Sequence, residues 1–280
     1  MLRRALSLAF VCTALLAGGC GTSSSTESAG ATERASVADP INPAKSVSPT
    51  PESDPTRLVL AAVEATGRTT ARTAHRTELG TGADATYVIS GGGAHDFVHH
   101  RGTTDVEPAS AARFDEVFAD GKVYLRGTAG SGTRGWSVVD RDDLEAQHIL
   151  RSPANDPEYT LRQAAMGTDF RAAGEEKTGS TPTTHYRGRL PFEALTLEMS
   201  EESLTTAKTL RQMVGGEIPV PVDVWVDGHG RATRIRMSLR IEGAATSVST
   251  LTLTDLGRPV EVTVPGTATE AEAGGMGILG

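Results

Sequence analysis

The sequence predicts an α+β fold: a curved antiparallel β-sheet with helices covering one side. Three features point to it. Apolar residues recur at every second position over long runs, Asp-Gly and Gly-rich turns separate those runs, and helical periodicity is confined to a few grouped segments.

Asp54 is placed to cap a first helix, with Pro55 in its first turn and Leu58, Ala62 and Ala65 on one face beside Val59 and Val63. After Gly67 the period changes to two. Strands are expected at 70–79, 84–91, 94–105, 112–119, 122–127 and 135–140, and Asp120-Gly121 is a strong hairpin signal. A helical interlude is expected over 141–149 and 156–166, where Pro157 suits a helix start. Strands resume at 168–177 and 182–190. Residues 200–214 give the clearest helix, with Ser200 as cap and Leu204, Ala207, Leu210, Met213 and Val214 on one stripe. In the last third, Val222, Val224 and Val226 alternate with Asp223, Trp225 and Asp227. After the turn at Asp227-Gly228-His229-Gly230, Thr233, Ile235, Met237, Leu239 and Ile241 face one way and Arg234, Arg236, Ser238 and Arg240 the other. Leu251 and Leu253 mark a third strand, and Val260, Val262 and Val264 a fourth.

The N-terminus has the order of an export signal. Arg3 and Arg4 precede an uncharged, mostly apolar stretch at 5–17, too short for the roughly 20 residues that a spanning helix needs. Leu16-Ala17-Gly18-Gly19-Cys20 resembles the bacterial lipobox, in which the cysteine thiol is acylated and becomes the new N-terminus. The expected organisation is therefore a signal peptide at 1–19, a lipidated Cys20 with a disordered tether at 20–54, one domain at 55–265 and a flexible tail at 266–280. The tether is rich in Ser, Thr, Pro and Glu and holds too little apolar surface to offset its ordering entropy. As a coil its 34 residues after Cys20 reach about 30 Å. The expected location is the outer face of the cell membrane, through the lipid on Cys20.

Without residues 1–19 the chain holds 25 basic and 35 acidic side chains, a formal charge of −10. That balance argues against nucleic acid as a partner and against a broad electrostatic grip on anionic head groups. Cys12 leaves with the signal and Cys20 carries lipid, so no cysteine remains for a disulfide.

The motifs with chemical potential read as structure. Gly130-Ser-Gly-Thr-Arg-Gly135 fits the dinucleotide glycine pattern, but a strand follows it where a helix N-terminus is required, so a hairpin loop is expected. His99 and His100 point to opposite faces of a strand and His95 lies about 13 Å from His99, so these histidines are read as exposed or locally paired, not as metal ligands. Asp140, Asp142 and Asp143 lack the glycine and terminal glutamate of a calcium loop and are expected to open a helix. No nucleophile elbow is present. The sequence thus points to no catalytic residue, no metal and no cofactor.

Two segments resemble a known family. FDEVFADGKVYLR at 114–126 with WSVVD at 136–140, and VDVWVDG at 222–228 leading through an Arg-rich strand to TDLGRPVEV at 254–262, resemble actinobacterial lipoproteins of the LppX/LprG type. The resemblance extends in element order over roughly 57–265. It implies a LolA-like half-barrel, with helices covering the concave face of the sheet, and binding or transfer of lipid in an apolar cavity. The aromatic content of 4% is low for a capacious one. The cavity candidates are Ile235, Met237, Leu239, Ile241, Leu251 and Leu253 from strands and Leu204 and Leu210 from the helix; ordinary core packing would account for the same stripe. The expected partners are membrane lipid through Cys20 and a lipid ligand, with a monomeric chain. The alternative is a non-enzymatic sensor or interaction module that binds a membrane-protein segment.

Overall fold

The computed structural model describes residues 54–81, 84–108, 113–129, 132–133, 135–218, 220–241 and 245–272. Cys20, the expected signal peptide and the tether before Asp54 lie outside them, as do Gly130, Ser131, Arg134 and 273–280.

Helix α1 (Pro55–Thr66) starts as its sequence dictates, with Asp54 accepting a hydrogen bond from Thr56 N and proline at the first turn. Seven strands follow: β1 (Thr70–Thr81), β2 (Asp84–Asp96), β3 (Arg101–Pro108), β4 (Arg113–Ala119), β5 (Lys122–Ala129), β6 (Gly132–Thr133) and β7 (Ser137–Asp140). Next come α2 (Pro157–Ala165), the hairpin β8 (Thr168–Thr178) and β9 (Thr181–Leu190), the short α3 (Phe192–Leu195) and α4 (Glu201–Met213). Strands β10 (Val220–Asp227), β11 (Ala232–Ile241), β12 (Ala245–Thr254) and β13 (Thr269–Glu270) complete the chain.

All the strands join one open, curved sheet in the order β13-β7-β5-β4-β3-β2-β1-β12-β11-β10-β9-β8, with β6 folded back on β5. Every pairing is antiparallel except β13 with β7. The fold is α+β, an open half-barrel whose helices cover one face, as the strand and helix periodicities predict. Strand parity fixes the covered face: Val222, Val224, Ile235, Met237, Leu239, Leu251 and Leu253 are at most 2% exposed, and they pack with Val59 and Val63 of α1 and Leu161 and Ala164 of α2.

Four expectations are corrected. Residues 141–149 are not a helix beyond a single turn at Arg141–Asp143, because the backbone bonds elsewhere: Ala146 N donates to Glu198 O at 2.8 Å and Ala146 bridges Met199. Asp140 does not cap that turn through its side chain; it pairs with Lys122 at 2.8 Å. Strands expected at 84–91 and 94–105 are instead 84–96 and 101–108, with the turn at 97–100. The run Gly91-Gly92-Gly93 continues β2 because β3 lies so close that a Cβ at Gly91 would meet Asp105 O at 2.1 Å. Val260, Val262 and Val264 form no strand, since both edges of β12 are already taken by β11 and β1. Within the stretch read as a tail, Thr269 and Glu270 pair with β7.

Candidate functional site

The covered face of the sheet has two regions of different chemistry. Across β10, β11 and the Leu251–Leu253 end of β12 it is mainly apolar. Antiparallel register sets Val224 opposite Ile235 and Ile235 opposite Leu251, and Val222 opposite Met237. Of the eight cavity candidates, Ile235, Met237, Leu239, Leu251 and Leu253 stand together in the core; Ile241 and Leu210 pack at its margin. Leu204 is half-buried and outside that cluster. The helices above hold on unequally. Six residues of α2 are buried, whereas α4 buries Ala207 alone and leaves Met213 79% exposed.

Toward β1–β4 the same face turns polar. Thr73, Thr77, Thr104, Ser247 and Glu116 are all buried there. A cavity of about 10 Å³, room for roughly one water, lies between β1, β12 and α2. His75, Thr77, Asn155, Thr160 and Ser249 line most of it, with Leu251 the single cavity candidate among its walls. His75 Nε2 is buried without a hydrogen-bond partner, and burial lowers this imidazole to about 4, so it is neutral at ordinary pH. Asn155 Nδ2 donates to Glu116 Oε1 at 3.0 Å, leaving Glu116 Oε2 unpartnered. Burial pushes the Glu116 carboxyl well above its usual range and the Asp156 charge adds to this, against the smaller lowering by Asn155 and Arg151. The centre of the half-barrel thus holds a neutral imidazole and a buried carboxyl whose protonated form is favoured by burial.

The three histidines at the β2–β3 turn separate in role. His95 is 1% exposed, and its Nε2 lies 2.6 Å from Glu158 Oε1; His100 Nδ1 lies 2.9 Å from Glu158 Oε2. His99, on the surface, pairs with Asp96 at 2.8 Å. Arg141 reaches both Asp156, through Nε and Nη2 at 2.8 and 2.6 Å, and Glu158 at 3.2 Å. Burial alone would raise Glu158, but hydrogen bonds from His95 and His100 and the Arg141 charge outweigh it and hold the carboxyl down to about 2. This network fastens the β2–β3 turn to the N-terminus of α2. Among the described residues no group of three or more His, Cys, Asp or Glu is arranged to hold a metal.

Sequence reading missed His75, Glu116, Asn155 and Glu158. Parity along β1 puts Ala71, Thr73, His75 and Thr77 on one face, which is a signal for His75; Asn155 and Glu158 come from a loop and a helix start whose placement no local pattern encodes.

No protein-family model and no curated protein matches the chain. Among solved structures it is similar to lipoprotein LppX of Mycobacterium tuberculosis, at 15% identity over 75% of this chain and 100% of that one, with a TM-score of 0.45. It is also similar to LprF of Mycobacterium bovis, at 13% identity over 79% and 100% with a TM-score of 0.44. A third likeness is a LolA-superfamily protein of Nitrosomonas europaea, at 9% identity over 74% and 94% with a TM-score of 0.35. No helix of the described residues is long and apolar enough to cross a membrane.

Proposed function

We propose that the chain is an extracytoplasmic lipoprotein, held to the membrane by lipid on Cys20, that takes acyl chains between the apolar face of β9–β12 and its helices. The observation that carries this reading is a mainly apolar face covered at one side by a helix with one buried residue. In the present conformation the face is closed, with Ile235 and Met237 at 0% exposure, so a hydrocarbon tail enters only as α4 lifts and the contacts of Leu210 and Val214 are exchanged for ligand. Such exchange keeps the apolar area out of water at every stage, at roughly 25 cal/mol per Å².

Three measurements test it. The chain purified from bacterial membranes should partition into detergent, and its Cys20→Ser form into water. Native mass spectrometry of the Cys20→Ser chain should show co-purified acyl lipid. Gln147→Cys with Ser203→Cys, at positions where Ser203 Oγ donates to the Gln147 backbone oxygen at 3.2 Å, should block loading when oxidised and permit it when reduced. A chain that stays lipid-free after incubation with vesicles would end the carrier reading. The full burial of Ile235 and Met237 favours one other reading, a non-enzymatic module that binds a membrane protein, and in-cell crosslinking to one stoichiometric partner would select it.

A further inference from the structure

The uncovered face of β8–β12 and β1 concentrates arginine in a chain whose overall charge is negative. Register aligns one transverse row across six strands: Arg171 opposite Arg187, Arg187 opposite Asp223, Asp223 opposite Arg236, Arg236 opposite Thr250, and Thr250 opposite Arg76. At about 4.8 Å per strand the row is roughly 24 Å wide. Arg189, Arg234 and Arg240 flank it on the same face.

The carboxylates on this part of the face are already engaged. Asp223 Oδ1 accepts from Arg187 Nε at 2.9 Å and lies 2.7 Å from His185 Nε2. Glu176 accepts from Trp225 Nε1 at 2.8 Å, and Asp169 pairs with Arg189 at 3.3 Å. Arg171, Arg236 and Arg240 are exposed and have no ion pair among the described residues. The side chains between them are short, such as Ser238, Thr250, Thr252 and Ala74, so the guanidinium groups are the tallest features of the face.

We propose that this arginine face docks the domain on an anionic phospholipid surface. A broad face of outward cations fits a plane of phosphates, where each guanidinium finds two oxygens. Single-stranded nucleic acid would call for exposed aromatic platforms, but Trp225 is 6% exposed, stacked on His185 and covered by Arg234 at 5.3 Å. The choice of a membrane over a soluble polyanion rests on the proposed anchor at Cys20, which only 34 residues separate from the first helix at Pro55. The net charge of −10 argues against such a grip only if charge is spread evenly, and the sheet segregates it.

The test uses the chain from residue 20 with Cys20→Ser, so that neither acylation nor cargo decides the result. It should sediment with phosphatidylcholine vesicles containing phosphatidylglycerol and not with phosphatidylcholine alone, and binding should fade in high salt. Arg171→Gln, Arg236→Gln and Arg240→Gln together should weaken binding on the order of a hundredfold, taking about fivefold per arginine near the surface. Circular dichroism of the triple variant should match the parent, and its acyl-lipid content should be unchanged. Equal binding to neutral vesicles, undiminished binding by the triple variant, or preference for polyglutamate or DNA over anionic vesicles would each overturn the proposal. A lipid-free interior would leave it standing.

Discussion

The imidazole of His75 lies across β2 at Gly91: a Cβ built there would come within 2.4 Å of His75 Cε1 and 2.1 Å of Asp105 O. The missing side chain on one strand is what lets a ring on the next lie flat over the sheet. Gly91→Ala should therefore cost more than about 2 kcal/mol, as overpacking of a filled interior does. Gly135→Ala, where no heavy atom lies within 4 Å, should stay within about 0.5 kcal/mol. Urea unfolding of both variants checks the contrast, and equal costs would refute the close approach.

The same histidine makes the fold acid-sensitive. Its folded value of about 4 lies below its ordinary 6.5. The unfolded chain therefore takes up the proton first, and stability is full above pH 6.5 and declines as pH falls toward 4. Allowing for solvent at part of the ring, the loss is about 2 kcal/mol. His75→Asn should flatten the stability profile across that window.

Glu116 contributes the opposite slope. Its folded value lies well above its usual 4.5, so its stabilising contribution is full below that pH and is lost as pH rises toward the folded value. Glu116→Gln keeps an oxygen for Asn155 and removes the titration. The variant should show no decline with rising pH from this site, and thermal unfolding at pH 5 and pH 8 should reveal the difference. A variant whose pH profile follows the parent would assign that slope to another group.

Leu239 and Leu204 belong to the same expected cavity wall but to different parts of the structure. Leu239 is 2% exposed within the core, so Leu239→Ala should cost about 2–5 kcal/mol. Leu204 is half-buried on α4 and outside that core, and Leu204→Ala should cost under about 1 kcal/mol. Similar large costs would mean that α4 is as firmly seated as α2, and would remove its role as the element that lifts.

What could be read in advance was whatever a local period encodes. The alternation in β11 fixed the burial of Ile235, Met237 and Leu239, and Asp54-Pro55 fixed the start of α1. The stretch 141–149 could not be read that way, because its backbone bonds to residues near 198 that are remote in sequence. The polar chamber escaped for the same reason: His75, Glu116 and Asn155 come from a strand, another strand and a loop. The Val260–Val264 alternation was a true period with no vacant edge on β12, the strand it follows, to join.

The central seam of the sheet constrains how the molecule can be made. β1 is zipped along its length to β12, so the first strand synthesised waits for nearly the last. As the chain emerges, β1 through β5 can assemble early but must hold a naked backbone edge, the kind that recruits stray strands. Closure comes only when the chain is available through residue 254, so the central seam is a long-range pairing that forms late and prolongs the exposure of that edge.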